Sequence, residues 1–324
     1  MPGPYSLLST ESLELSKVQS IFAKAQRFKN EFNSEKRFLT VDEFAQIQDQ
    51  KRPLSVAFVF FEPSTRTRMS FQMAAYRLGL QVVAMDSITT SSIKKGESLT
   101  DTVMNINAMG PDLFVVRCGE NFDLAEFSEK IDVPVVNAGS GASAHPTQAL
   151  LDCYTLWETE NDLSKFRVLI VGDARFSRVA SSNFRLLKRF GAEVAVCAPK
   201  ALRPREEVFP YVKTFDSLEE GLKWSNVCMV LRMQLERHDA ATLKLPSLAD
   251  FHEVYGVTPE RLKGFSKDGI IMHPGPINHG VELTTETLND PRCVVLKQVE
   301  NGVYTRAALL EDILNLTGQG ESNG

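Results

Sequence analysis

Two rhythms of apolar and polar positions alternate along this chain. Val18, Ile21, Phe22, Ala25, Phe28 and Phe32 recur at steps of three and four residues, which predicts an amphipathic helix. The run LSVAFVFF at 54–61 is continuously apolar and predicts a short strand buried on both faces of a sheet. It leads straight into EPSTRTRMSFQMAAYRLG, which predicts a helix from near Ser64 to Gly79. Strands are expected at 81–85, 112–117 and 133–137, with helices over 98–109 and 122–130 between them. After His145 a helix to about Glu160 precedes a second series of strands, expected at 166–171, 193–197, 226–231, 269–272 and 293–297. The Asn301-Gly302 pair predicts a turn, followed by a last helix over about 303–316 and a frayed tail at 318–324. Helix and strand patterns that alternate in this way predict α/β architecture with parallel sheets. The first half reads as one α/β unit and the second half as another, hinged around the 145–160 helix.

Length agrees with two units, since 324 residues suit about two domains of roughly 150 residues each. Basic residues number 36 and acidic residues 41, a formal net charge of −5, so binding of nucleic acid is disfavoured while a local basic pocket stays open. The longest apolar run near the front, Val56 to Phe61, is far short of the ~18–20 residues of a membrane-spanning helix. MPGPYSLLSTESLE has neither a basic stretch nor an apolar run, so no secretory leader is expected. Five cysteines, Cys118, Cys153, Cys197, Cys228 and Cys293, are odd in number and scattered. They suggest neither a disulfide framework nor a zinc site, and the cytoplasm is the expected compartment.

Pro63-Ser64-Thr65-Arg66-Thr67-Arg68 carries the sharpest local chemistry. It stands where a strand gives way to a helix, and a helix amino terminus offers unpaired N–H groups and partial positive charge to a phosphate. The hydroxyls of Ser64, Thr65 and Thr67 add donors, and Arg66 adds a planar fork matched to an oxyanion. A plain Ser/Thr cap with exposed arginines is the alternative, but three hydroxyls and an arginine exceed what a cap needs. No GxxxxGK[ST] loop is present, and VLIVGDARFS before Arg178 has a single glycine, Gly172, in place of a GxGxxG dinucleotide loop.

FEPSTRTRMSF, SSIKKGESLTDT, HPTQALLD, LRMQLER and HPGP follow one another in that order, and together they resemble the catalytic chain of the aspartate carbamoyltransferases over essentially the whole length. That resemblance implies two similar-sized three-layer α/β domains with mainly parallel sheets, joined by interdomain helices. Residues 1–150 would bind carbamoyl phosphate, with the last helix, about 303–318, packing back on them. Residues 151–302 would bind aspartate. It further implies transfer of a carbamoyl group to the α-amine of L-aspartate, giving N-carbamoyl-L-aspartate and phosphate for de novo pyrimidine synthesis. No metal or organic cofactor is called for.

Site roles are carried over from the same resemblance. Ser64, Thr65, Arg66 and Thr67 would hold the phosphate with Arg117, while Thr67, Arg117 and His145 would donate to the carbamoyl oxygen. Gln148 and the carbonyls around Gly275 and Pro276 would fix the carbamoyl NH2 group. Arg178, Arg232 and Gln234 would bind the aspartate carboxylates, and Ser91 and Lys95 would reach in from a neighbouring subunit of a homotrimer with shared sites. Regulatory or dihydroorotase-type partner chains are possible companions. The motif-matched cations Arg66, Lys95, Arg117, Arg178 and Arg232 would repel one another unless an anionic ligand arrived.

Two other readings stay open. One is a carbamoyltransferase for ornithine or an acylated ornithine, which shares the STRTR and HPTQ elements; an arginine in the Arg232-Met233-Gln234 loop favours a carboxylate over an ammonium group. The other is a non-catalytic paralogue acting as a scaffold. Related chains carry an arginine shortly after HPxP, whereas Ile277-Asn278-His279 stands here, and histidine holds no permanent charge at neutral pH. His238 and His252 match no family role and are expected at the surface.

Overall fold

The computed structural model describes residues 5–35, 53–85, 97–141, 144–233 and 245–316. Its helices are α1 (Leu15–Glu35), α2 (Thr65–Arg77), α3 (Leu99–Asn107), α4 (Leu124–Glu129), α5 (Pro146–Trp157), α6 (Arg178–Arg189), α7 (Leu218–Trp224), α8 (Leu248–Tyr255), α9 (Thr285–Leu288) and α10 (Val295–Ile313). The strands are β1 (Ser55–Phe60), β2 (Gln81–Ala84), β3 (Leu113–Cys118), β4 (Val135–Ser140), β5 (Arg167–Val171), β6 (Glu193–Cys197), β7 (Lys213–Phe215), β8 (Val227–Val230) and β9 (Ile270–Met272). Two compact units divide the chain: Met1–Tyr154 with Val299–Gly324, and Thr155–Gln298. The chain passes from one to the other inside α5 and again inside α10.

In the first unit the sheet order is β2-β1-β3-β4 with every pairing parallel. The central strands β1 and β3 are buried along nearly their whole length, in keeping with their largely apolar sequence. Ala57, Val59, Phe114 and Val116 form one core with Val103 of α3 and Phe127 of α4. Leu7 bridges Val136 and exchanges backbone hydrogen bonds with Val135 and Asn137 at the β4 edge. In the second unit the order is β7-β6-β5-β8-β9, again all parallel. Leu169, Val171, Ala195 and Val230 pack there with Leu222 of α7 and Ile271 of β9.

The carboxyl-terminal boundary departs from the expected one. Residues 293–297 are not a strand: Cys293 makes a single bridge to Ile271, and α10 begins at Val295. Nor is Asn301-Gly302 a turn, because α10 runs through it. The β-branched run CVVL mimics a strand locally, whereas tertiary contacts decide the outcome. Asn301 Oδ1 accepts from the buried Lys29 Nζ at 2.8 Å, and Gly302 lies where other helices approach closely. The three-residue β7 and the helices α6, α7 and α8 add to the elements expected from the sequence. Among the described residues no helix is long and apolar enough to cross a membrane.

Candidate active site

Each sheet has one place where successive connections turn in opposite directions, and the candidate residues gather there. In the first unit β1 leads outward to β2, while its other neighbour β3 leads to β4. The carboxyl ends of β1 and β3 are therefore adjacent, with Phe60 paired to Arg117. A crevice at such a reversal is where open α/β sheets bind ligands.

From β1 the chain passes through Phe61-Glu62-Pro63 into α2. Ser64 occupies the N-cap with extended backbone but makes no side-chain capping bond. By contrast, Ser98, Asp123, Ser177, Ser217, Ser247 and Thr284 each cap their own helix through a side-chain oxygen. The Ser64 hydroxyl is thus uncommitted where backbone N–H groups are left over. Thr65 and Arg66 are exposed beside it, and Thr67 is buried.

Arg117 extends from the last turn of β3. The pairing of β3 with β4 shifts register there, and Arg117 Nη1 donates to Ala138 O at 3.2 Å. Its Nη2 lies 3.9 Å from Glu62 Oε2. At the end of β4, Gly139 N donates to Asn137 Oδ1 at 2.7 Å, which shapes the loop toward His145. His145 immediately precedes α5 and is buried, as is Gln148 one turn on, whose Nε2 donates to Asp152 Oδ1 at 3.0 Å.

The second unit repeats the arrangement. β5 leads to β6 and β7 on one side, and β8 leads to β9 on the other. Gly172 ends β5 with φ +110, and a Cβ there would lie 2.5 Å from Leu231 O. Only glycine allows the loops after β5 and β8 to come this close. Arg178 opens α6 behind its Ser177 cap and is only 4% exposed, while Arg232 is half-buried just beyond β8. After β9, His273 Nδ1 accepts from Gly275 N at 2.8 Å, which leaves the ring proton on Nε2, 3.4 Å from the buried Glu282. Glu282 Oε1 also accepts from Asn278 N at 2.6 Å, so one carboxylate braces the loop holding Gly275 and Pro276.

Ser91, Lys95, Gln234 and His238 lie outside the described residues. His252 is half-buried rather than a surface residue, with Nδ1 donating to Val281 O at 2.8 Å. His279 is exposed. Sequence reasoning missed Asp152 and Glu282. Asp152, four residues after Gln148 on one helical face, was open to discovery from spacing alone.

Comparison with known proteins adds an independent line. Residues 5–158 match the family model described as the aspartate/ornithine carbamoyltransferase carbamoyl-P binding domain. Residues 164–313 match its companion, the Asp/Orn binding domain. The chain is 45% identical over 269 residues to the aspartate carbamoyltransferase catalytic subunit of Rhizobium rhizogenes, covering 83% of this chain and 84% of that one. To the subunit of the same name from Helicobacter pylori it is 40% identical over 316 residues, 95% of this chain and 97% of the other. Among solved structures, Trypanosoma cruzi aspartate transcarbamoylase in complex with carbamoyl phosphate and aspartate superposes with a TM-score of 0.83 at 27% identity, covering 95% and 96% of the two chains. Motif order, two parallel sheets with basic residues at their reversal points and matches along nearly the whole length converge, and the chain belongs to the aspartate/ornithine carbamoyltransferase family.

Proposed function

We propose that this chain transfers the carbamoyl group of carbamoyl phosphate to the α-amine of L-aspartate, releasing phosphate. The observation that carries the reading is the start of α2, where Ser64 leaves its own helix uncapped beside Arg66 and the neighbouring strand end bearing Arg117. Ser64, Thr65, Arg66, Thr67 and Arg117 would hold the phosphate through N–H, hydroxyl and guanidinium donors. Thr67, Arg117 and His145 would donate to the carbamoyl oxygen, which gains negative charge as the amine attacks. Loss of one such donor typically costs about 2.7–4 kcal/mol of transition-state stabilisation. Gln148 and the carbonyls around Gly275 and Pro276 would take the carbamoyl NH2 group. Arg178, Arg232 and Gln234 are assigned to the two carboxylates of aspartate. Positioning and charge stabilisation carry the reaction, and the departing phosphate can accept the amine proton.

The working molecule is a homotrimer in this reading, with Ser91 and Lys95 donated from a neighbour. Met69, Met73 and Tyr76 support it: they are spaced along one exposed face of α2, Met69 at 52% and Tyr76 at 77% exposure. Val83, on the edge strand β2, is exposed as well. A monomer gains nothing from such a stripe, whereas a second copy would cover it. Free thiols throughout, four of them buried, support a reducing cytoplasm.

The test offers purified protein carbamoyl phosphate with aspartate and with ornithine in separate reactions. Formation of N-carbamoyl-aspartate is expected; turnover of ornithine alone overturns the assignment. A scaffold would turn over neither, and the presence of Arg66, Arg117, His145, Arg178 and Arg232 together argues against that role.

A further inference from the structure

Three helices of the first unit meet at a point with no room for a side chain. A Cβ on Gly302 of α10 would lie 2.6 Å from Arg306 Nη1, 3.2 Å from Leu151 of α5 and 3.3 Å from Ser70 Oγ of α2. Arg306, one turn after Gly302, is 3% exposed. Its Nη1 donates to Ser70 Oγ at 2.9 Å and to Gly302 O at 3.2 Å, and its guanidinium carbon sits 5.0 Å from the Phe71 ring centroid. A cation this deep requires a counter-charge. Asp152 of α5, 0% exposed, is the carboxylate whose charge acts on Arg306. Desolvation pushes the Arg306 pKa down to about 10 and the Asp152 carboxylate acts against that, so Arg306 is still charged at neutral pH.

The consequence reaches Gln148. The amide atom facing Asp152 Oδ1 at 3.0 Å is Nε2, a donor matched to a carboxylate oxygen as acceptor. The Gln148 Oε1 then becomes the free end of the amide, and it accepts no hydrogen bond from the described residues. Were the amide reversed, it would present N–H groups to the ligand instead.

Resting on the carbamoyl-transfer reading, we propose that Asp152 is a positioning residue that fixes Gln148 with its oxygen outward and so makes the site selective for a carbamoyl donor over an isosteric acyl phosphate. A carbamoyl group brings two N–H donors to that oxygen; the methyl of acetyl phosphate brings none. Rejection arises because an acceptor set for a hydrogen bond is left unpaired by the wrong ligand. Neither Asp152 nor Arg306 touches the reacting atoms in this scheme.

The experiment measures binding of carbamoyl phosphate, acetyl phosphate and inorganic phosphate to the full-length protein. It compares wild type with Asp152→Asn and with the double variant Asp152→Asn/Arg306→Gln, which removes both buried charges together in case the single one fails to fold. In both variants the preference for carbamoyl over acetyl phosphate should fall by about tenfold, the worth of one buried hydrogen bond. Affinity for inorganic phosphate, which does not engage Gln148, should change less than about twofold on the same grounds. Equal weakening of all three ligands, or an unchanged preference, would mean that the pair only holds helices together and would overturn the proposal. Wild-type turnover of carbamoyl phosphate with aspartate is the separate control. If it is absent, the functional reading falls, and if it is present with an unmoved preference, only the positioning claim falls.

Discussion

At Arg117 the Nη1 is already committed to Ala138 O and Nη2 lies 3.9 Å from Glu62, and the proposed function adds a second duty to the same side chain. Lysine keeps the charge and loses the planar fork. Arg117→Lys is therefore expected to lower kcat/KM by about 10²–10³, the range for losing one donor to a developing oxyanion. A steady-state assay with carbamoyl phosphate and aspartate checks it, and a loss below tenfold would contradict the role. At Gly172 the constraint is backbone. Gly172→Ala adds a Cβ 2.5 Å from Leu231 O at φ +110, and a destabilisation of roughly 1–3 kcal/mol is expected for such strain, read from the denaturation midpoint. These two residues mark how far a sequence can be read. Arg117 was legible because it ends an apolar run, and strand ends in α/β folds carry chemistry. Gly172 was noticed only as a missing dinucleotide loop, since its reason is a contact with residue 231, far along the chain.

Among whole elements, α10 is the instructive case. Its start and the residues just before it, Cys293-Val294-Val295-Leu296, are β-branched and apolar enough to mimic a strand, and Asn301-Gly302 imitates a turn. Helix wins because Lys29, Arg306 and the neighbouring helices α2 and α5 make contacts that no short window contains. The far end of α10 is tied to the amino-terminal region by ions. Asp312 receives Tyr5 Oη at 2.7 Å, Lys24 Nζ at 2.8 Å and Lys17 Nζ at 2.7 Å, while Glu311 receives Arg27 at 2.5 Å. Burial alone would raise the Asp312 pKa, but hydrogen bonds from Lys17, Lys24 and Tyr5 outweigh it and hold the carboxyl below its ordinary value. A depressed folded pKa contributes stability that is full above the unfolded value, about 3.9, and is lost as pH falls through the folded one. Asp312→Asn should therefore lower stability at neutral pH and flatten its fall on acidification below about pH 4. Urea melts from pH 7 to 3 would show this, and parallel curves for the two proteins would refute it.

At the level of the assembled molecule, the exposed Met69, Met73 and Tyr76 face defines the test of association. Tyr76→Glu places a charge at the most exposed position of the stripe and should yield monomers by light scattering, with activity lost alongside. The proposed composite sites make a second demand. Inactive Lys95→Ala and Arg232→Ala proteins, mixed and allowed to exchange subunits, should regain part of the wild-type rate; silence after demonstrated exchange would argue for self-contained protomers. The strand-end settings of Ser64 and Arg117 in one unit, and of Arg178 and Arg232 in the other, were readable from their motifs. The contacts behind them, Arg306 with Ser70 and Glu282 with His273, were not, because each joins residues that carry no pattern until the chain is folded.

The chain's route through its two units has a bearing on biogenesis. Thr155–Gln298 is one unbroken stretch, whereas the first unit is completed only by residues beyond 298. During synthesis the later-starting unit can therefore mature first. Until Arg306 emerges from the ribosome, Ser70 lacks the guanidinium that ties α2 to α10, and the first unit stays open at that point.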